Sequence, residues 1–107
     1  LHTVDIALAE SLNAIWKHAK IHKDQTEDTQ PTIQDLIKVH DKLNILNTRE
    51  LANETIDIAQ AESITVYDAL YIAATQKLNA TLYTADQKLY NTANKTTNTK
   101  LLEPQKT

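Results

Sequence analysis

Cysteine, glycine and methionine are all absent from this chain of 107 residues. Without cysteine, the chain can form neither a disulfide framework nor a thiolate metal site. Without glycine, it has none of the glycine-rich loops that bind phosphate in P-loop and dinucleotide-binding proteins. Because methionine is absent too and residue 1 is Leu1, we expect the natural protein to have further residues before it.

The chain also lacks a long apolar run and a basic segment followed by an apolar stretch, so neither a membrane span nor a secretion signal is predicted. We therefore expect a cytoplasmic protein. Its length and its content of 41% apolar and 23% charged residues are typical of one globular domain. The net charge of −3 argues against a protein held on nucleic acid mainly by a broad basic surface. A nuclease that offsets its own carboxylates with metal ions is compatible with this charge.

Hydrophobic periodicity predicts helices that alternate with short strands. The predicted helices span residues 5–20, 31–43, 48–61, 66–79 and 87–93, and the predicted strands span 44–46, 80–84 and 100–102. Residues 22–31 are polar throughout and are predicted to form a loop. Such alternation favours an α/β fold with a parallel sheet over a helical bundle. Trp16 lies on the apolar stripe of the first helix and is expected in the core, and the helix over 66–79 is apolar around nearly its whole circumference.

Three carboxylates occupy positions at which catalysis is plausible. Asp68 begins the buried fourth helix, Asp86 follows the strand over 80–84, and Glu10 lies early in the first helix. In a parallel sheet, the carboxyl ends of strands and the first turns of helices meet at one edge, where ligands bind. Two carboxylates about 4 Å apart repel by on the order of 4 kcal/mol at an effective dielectric constant near 20, so a cation must offset them. With oxygen donors only, Mg²⁺ or Mn²⁺ is the expected ion.

Each of these acids also has a purely structural interpretation. Thr65 and Asp68 have the spacing of a helix cap, and Asp86 has the position of an N-cap residue. Glu10 fits the solvated face of its helix. The spacing of the residues does not show that the three carboxylates converge, so both interpretations stay open.

Weaker candidates lie on the first helix. His18 and His22 have the i, i+4 spacing of metal ligands, but a solvated helix end explains them better because no third ligand is evident. Lys17 and Lys20 lie on the same helix face as Glu10 and could contact the phosphates of a nucleic acid, although a charged helix face is the commoner explanation.

Three short motifs carry a resemblance to a known family: Glu10-Ser-Leu-Asn13, Tyr67-Asp68-Ala69 and Thr84-Ala-Asp86. In their order and surroundings, they resemble PIN-domain proteins of the VapC toxin type. The resemblance covers residues 6–102, and its most specific part is the aspartate between tyrosine and alanine.

The resemblance implies a three-layer α/β/α sandwich around a parallel sheet, as one PIN-like domain over residues 1–107. It implies a Mg²⁺- or Mn²⁺-dependent endoribonuclease that acts as the toxin of a VapBC-type toxin–antitoxin system. Such proteins usually form homodimers and are inhibited by a cognate VapB-type antitoxin. Carried over by motif, Glu10, Asp68 and Asp86 match the metal-binding acids. Thr84 matches a hydroxyl position beside Asp86, and Asn13 is expected to orient Glu10.

The chain departs from this family in one respect. Members begin with a central strand that carries the first catalytic aspartate, and the chain does not supply that strand, since Asp5 is too close to Glu10 to be that residue. We therefore expect a domain that is incomplete at its N-terminal end and lacks the central strand. The alternative is a degenerate PIN module without catalysis that dimerises and binds a basic partner segment. A plain helical partner-binding domain is a third interpretation.

Overall fold

The computed structural model describes residues 1–21 and 29–103 of the protein. The chain forms two compact units, Leu1–Leu46 and Asn47–Thr107, which we call the N-terminal unit and the C-terminal unit. Each contains helices and a two-stranded parallel sheet. The mixed α/β class with parallel strand pairing is therefore confirmed, whereas the expectation of one domain over 1–107 stays a prediction.

The N-terminal unit is built on the pairing of its first and last strands. Its elements are β1 (His2–Val4), α1 (Ala7–Ile21), α2 (Gln30–Asp41) and β2 (Asn44–Leu46). β1 and β2 run parallel with Val4 opposite Leu46, and both of these side chains are buried. The Asp5 N–H donates a 2.9 Å hydrogen bond to the Leu46 carbonyl and extends the ladder by one residue.

The sequence predicted the helices of this unit better than its strands. α1 was expected over 5–20, and α2 begins at Gln30 with Pro31 in its first turn, where a missing N–H costs no helical hydrogen bond. Of the predicted loop over 22–31, residues 22–28 lie outside the described residues. β1 was not predicted, because three residues are too few to show a period.

The position of Trp16 corrects the sequence-based prediction. Trp16 was expected in the core, but its residue surface is 57% exposed. α1 contains no buried residue at all. Helical spacing of apolar residues marks a stripe on the helix, but a side chain is buried only where another element covers that stripe. Among the described residues, no element covers the apolar stripe of α1 at Trp16.

The C-terminal unit begins with a capped helical segment. A 3₁₀ turn (Thr48–Leu51) leads into α3 (Ala52–Glu62), so the predicted single helix over 48–61 is divided. The Asn47 N–H donates to Glu50 Oε1 at 3.2 Å, as in a capping box. Ala52 is exposed, whereas Thr55 lies in the interior with 2% exposure.

The remaining elements of this unit are α4 (Val66–Leu78), β3 (Leu82–Thr84), α5 (Gln87–Ala93) and β4 (Thr99–Leu101). β3 and β4 pair in parallel, with Leu82 opposite Thr99. All four elements lie within two residues of their predicted bounds.

The core of the C-terminal unit is formed by α4, as its composition predicts. Six of its residues are buried: Ala69, Leu70, Ile72, Ala73, Ala74 and Thr75. Ile72 packs with Leu82 of β3 and with Leu89 and Ala93 of α5. Leu78, in the last turn, is 37% exposed. The small side chains of the alanines allow α4 to lie close to β3.

Two helices end in a left-handed residue although the chain has no glycine. Ser63 follows α3 with φ 53°, and Asn79 follows α4 with φ 50°. Asparagine is one of the few other residues that adopts this conformation readily, whereas serine does so at a cost. A short connection after Asn79 then leads into β3 at Leu82.

No helix within residues 1–21 and 29–103 combines the length and apolarity that a bilayer crossing requires.

Candidate active site

Asp86 is held in place by the strand before it and the helix after it. Its N–H donates to Thr84 Oγ1 at 3.0 Å. Its Oδ1 accepts from the N–H groups of Lys88 and Leu89 at 2.9 and 3.2 Å, which makes Asp86 the N-cap of α5. These bonds fix the carboxylate just beyond the carboxyl end of β3. Oδ1 accepts both hydrogen bonds from the N–H groups of α5, so Oδ2 is the oxygen that remains for a ligand.

Asp68 is placed by a second helix start. It lies in the first turn of α4, and its N–H donates to the hydroxyl of Thr65, the N-cap residue, at 3.2 Å. The capping bond uses the backbone of Asp68 and not its carboxylate. The side chain is partly exposed, so it can reach a ligand at the mouth of the helix.

Asp68 and Asp86 flank two consecutive elements of the C-terminal unit, α4 and β3. α4 packs on β3, and residues 79–81 connect the end of the helix to the start of the strand. Asp68 lies in the first turn of α4 and Asp86 directly follows β3. That the two carboxylates meet at one edge of the sheet, as expected for parallel strands, stays a prediction.

Glu10 and Asn13 belong to the other unit. Both lie on α1 and are exposed. Glu10 is in the first turn, where its N–H donates to the Ile6 carbonyl at 3.0 Å. Asp68 and Asp86 lie in the C-terminal unit, and the approach of Glu10 to them stays a prediction.

The donors fit a hard divalent cation in their chemistry. Carboxylate and hydroxyl oxygens are what Mg²⁺ and Mn²⁺ prefer, and the chain has no cysteine to favour a softer metal. Among the described residues, no three histidine, aspartate or glutamate side chains form a group that could hold a metal ion. Asp68 and Asp86 are therefore suitable donors by their chemistry, and their joint binding of a metal ion stays a prediction.

The basic candidates of α1 are also exposed, and one has a partner that the sequence analysis missed. Lys20 Nζ lies 5.1 Å from the ring centroid of Trp16, in a cation–π contact. The i, i+4 spacing of the two residues could have indicated it. Lys17 is exposed on the face of Glu10. The pairing of His18 with His22 cannot be compared, because His22 is outside the described residues.

Comparison with known proteins gives consistent results. The family model described as PIN domain matches residues 1–95. Ribonuclease VapC3 of Pyrobaculum aerophilum is 30% identical over 89 residues, which cover 83% of this chain and 68% of that protein. The crystal structure of PAE2754 from Pyrobaculum aerophilum matches with a TM-score of 0.73 and 26% identity, over 86% of this chain and 66% of that chain. The chain thus spans about two thirds of the length of each of these two relatives.

Proposed function

Because this chain belongs to the PIN-domain family, we propose that it is a metal-dependent endoribonuclease that hydrolyses RNA phosphodiester bonds. The observation that carries the proposal is its 30% identity, over 83% of its length, to a protein named as a ribonuclease. The positions of Asp68 in the first turn of α4 and of Asp86 directly after β3 also support it, because ligand-binding carboxylates of parallel α/β proteins occur at such positions.

In this proposal each polar residue has a defined task. Asp68, Asp86 and Glu10 would hold Mg²⁺ or Mn²⁺, which supplies the attacking hydroxide and neutralises charge on the scissile phosphate when it is bound. Thr84 fixes the backbone of Asp86 through its 3.0 Å hydrogen bond. Asn13 orients Glu10. Lys17 and Lys20 contact RNA phosphates.

We further propose that the protein is the toxin of a VapBC-type pair. In this role it acts in the cytoplasm as a homodimer and is inhibited by a cognate VapB-type antitoxin. The supporting observation is again the similarity to Ribonuclease VapC3. Growth arrest on expression, relieved by a neighbouring gene product, is the expected result. Unaffected growth in a strain that accumulates the active nuclease would contradict the toxin role.

The substitution Asp68→Asn tests the nuclease proposal. It removes one negative charge, and it leaves the backbone N–H that caps α4 in place. We expect Mn²⁺ affinity of the full-length gene product, measured by calorimetry, to fall at least about 10-fold, and RNA cleavage to fall with it. Asp57→Asn, on the exposed surface of α3, is the matched control and should change neither quantity.

Two results would contradict the proposal. One is unchanged RNA cleavage by the Asp68→Asn variant. The other is absence of Mn²⁺ binding by the unmutated protein, which would leave the three acids as helix caps and surface residues. A non-catalytic module that binds a basic partner segment would then be the better interpretation.

A further inference from the structure

Trp16 is an unusual residue to find exposed. It is the chain's single tryptophan, and 57% of its surface is accessible. Tryptophan combines a large flat apolar face with one hydrogen-bond donor, so an exposed tryptophan at a binding site commonly packs against a flat ligand. None of the tasks proposed above for the nuclease uses this indole.

Lys20 restrains the indole from one side. Its ammonium lies 5.1 Å from the ring centroid, and such a contact contributes about 0.5–1 kcal/mol at an exposed site. The contact holds an aromatic face and a positive charge next to each other on the helix. Restraint before binding lowers the entropy cost of ordering the ring against a ligand.

The ionisable residues that follow Trp16 on α1 are all basic. Between Glu10 and its end at Ile21, α1 carries Lys17, His18 and Lys20 and no further acidic residue. This is a local reversal of sign in a chain whose net charge is −3. An anionic ligand therefore fits this end of α1 better than it fits the chain as a whole.

The helix geometry connects this end of α1 to Glu10. Lys17 lies about two turns, or about 10 Å, beyond Glu10 and within about 20° of it around the helix. Lys20 lies between Lys17 and Trp16 in angle, because residues four apart are neighbours on the helix surface. The three side chains thus form a strip that winds from the face of Glu10 to the indole.

We propose that Trp16, Lys17 and Lys20, here called the Trp16 platform, bind single-stranded RNA by stacking one base on the indole and contacting adjacent phosphates. The inference rests on the proposed function, since the RNA bound is the nuclease substrate. An aromatic face beside cations is the combination that binds single strands without sequence preference. A protein partner or a second copy would use the apolar face but would gain less from the lysines.

A comparison with the Trp16→Tyr variant, which removes the emission of this indole, makes a fluorescence test specific to Trp16. Emission of Trp16 in the full-length gene product is followed as a short mixed-sequence single-stranded RNA is added in EDTA, so that no catalysis is required. We expect saturable quenching by the RNA. An abasic oligomer of the same length has the phosphates but no bases, and it should bind with little quenching.

Variants separate stacking from charge, with binding measured by the anisotropy of a labelled RNA. Trp16→Ala should weaken binding about 5- to 150-fold, the range for loss of one base–aromatic stack, and Trp16→Tyr should retain most of the affinity. The double change Lys17→Gln and Lys20→Gln should reduce the salt dependence of log K by about 0.7 per lysine. Lys77→Gln, at the end of α4, is the charge-matched control and should leave the affinity unchanged.

Two outcomes would overturn the platform. One is wild-type RNA affinity for Trp16→Ala with no quenching in the unmutated protein. The other is blue-shifted emission that RNA does not alter, together with a change of oligomeric state in Trp16→Ala, which would place the indole in a protein interface. The binding assay is independent of cleavage. Cleavage without quenching rejects only the platform, and quenching without cleavage rejects only the nuclease.

Discussion

Asp86 has a structural and a catalytic interpretation, which are often treated as alternatives. Its Oδ1 accepts two backbone N–H groups at the start of α5, which is the bonding of a structural N-cap. A carboxylate has about four lone-pair sites on its two oxygens, so the cap uses only part of its capacity. A capped carboxylate cannot rotate freely, and it therefore presents Oδ2 in a defined direction. The structural and the catalytic interpretation of this residue are compatible.

Two substitutions at Asp86 separate these roles. Asparagine caps helices about as well as aspartate, so Asp86→Asn should change the free energy of unfolding by only a few tenths of a kcal/mol, whereas Asp86→Ala should cost about 1 kcal/mol. Both variants lose the charge, and both should lose Mn²⁺ affinity. Urea denaturation and calorimetry measure the two effects separately. Full Mn²⁺ affinity in Asp86→Asn would show that the carboxylate only caps α5.

At the scale of the element, helix ends show how a chain without glycine terminates its helices. Ser63 has φ 53° after α3, a conformation that costs a residue with a side chain about 1–2 kcal/mol. Asn79 has φ 50° after α4 and tolerates it better, because its short polar side chain can form local hydrogen bonds. A glycine would therefore stabilise the protein more at position 63 than at position 79.

We expect Ser63→Gly to stabilise the protein by about 1 kcal/mol, because glycine adopts a positive φ without steric cost. Asn79→Gly should stabilise it less. The shift in the urea midpoint at an unchanged slope measures both effects. A lower midpoint for Ser63→Gly would contradict the left-handed conformation of residue 63.

The elements that the sequence predicted well are those with local causes. α5 was predicted at its observed bounds because Asp86 caps it and Leu89 and Ala93 have helical spacing. α4 was predicted as buried because its apolar residues surround the helix. β1 could not be predicted, since its three residues are ordered only by pairing with β2. The burial of Trp16 was predicted wrongly, because spacing identifies a stripe but not the element that covers it.

The same distinction applies to the candidate site. The start of α4 and the end of β3 are local features, and the sequence predicted both within two residues. That they bring Asp68 and Asp86 to one edge stays a prediction. The roles of Thr65 and Thr84 as hydroxyl acceptors also follow from spacing. The approach of Glu10 to this edge depends on contacts between distant parts of the chain, which no spacing specifies.

On the scale of the whole molecule, burial is distributed unevenly. α4 has six buried residues, whereas α1 and α2 have none. Helices with few buried apolar contacts open at a lower free energy than helices in a core. The C-terminal unit therefore contains the most stable helix of the described chain.

Native-state hydrogen exchange measures this difference. We expect the amides of α4 to exchange most slowly and those of α1 and α2 to exchange earlier, after correction for the intrinsic rate of each amide. The slow amides should report the global free energy of unfolding. Equal protection of α1 and α4 would contradict the prediction and would indicate that a partner or another segment covers α1.

The two parallel sheets also differ in the length of chain that each must close. Thr84 pairs with Leu101, 17 residues later, whereas Val4 pairs with Leu46, 42 residues later. Closing the longer loop costs about 0.8 kcal/mol more in chain entropy. Refolding from denaturant should therefore join β3 to β4 before β1 to β2. Synthesis imposes the reverse order, and on the ribosome residues 2–4 cannot pair with residues 44–46 until the latter have emerged.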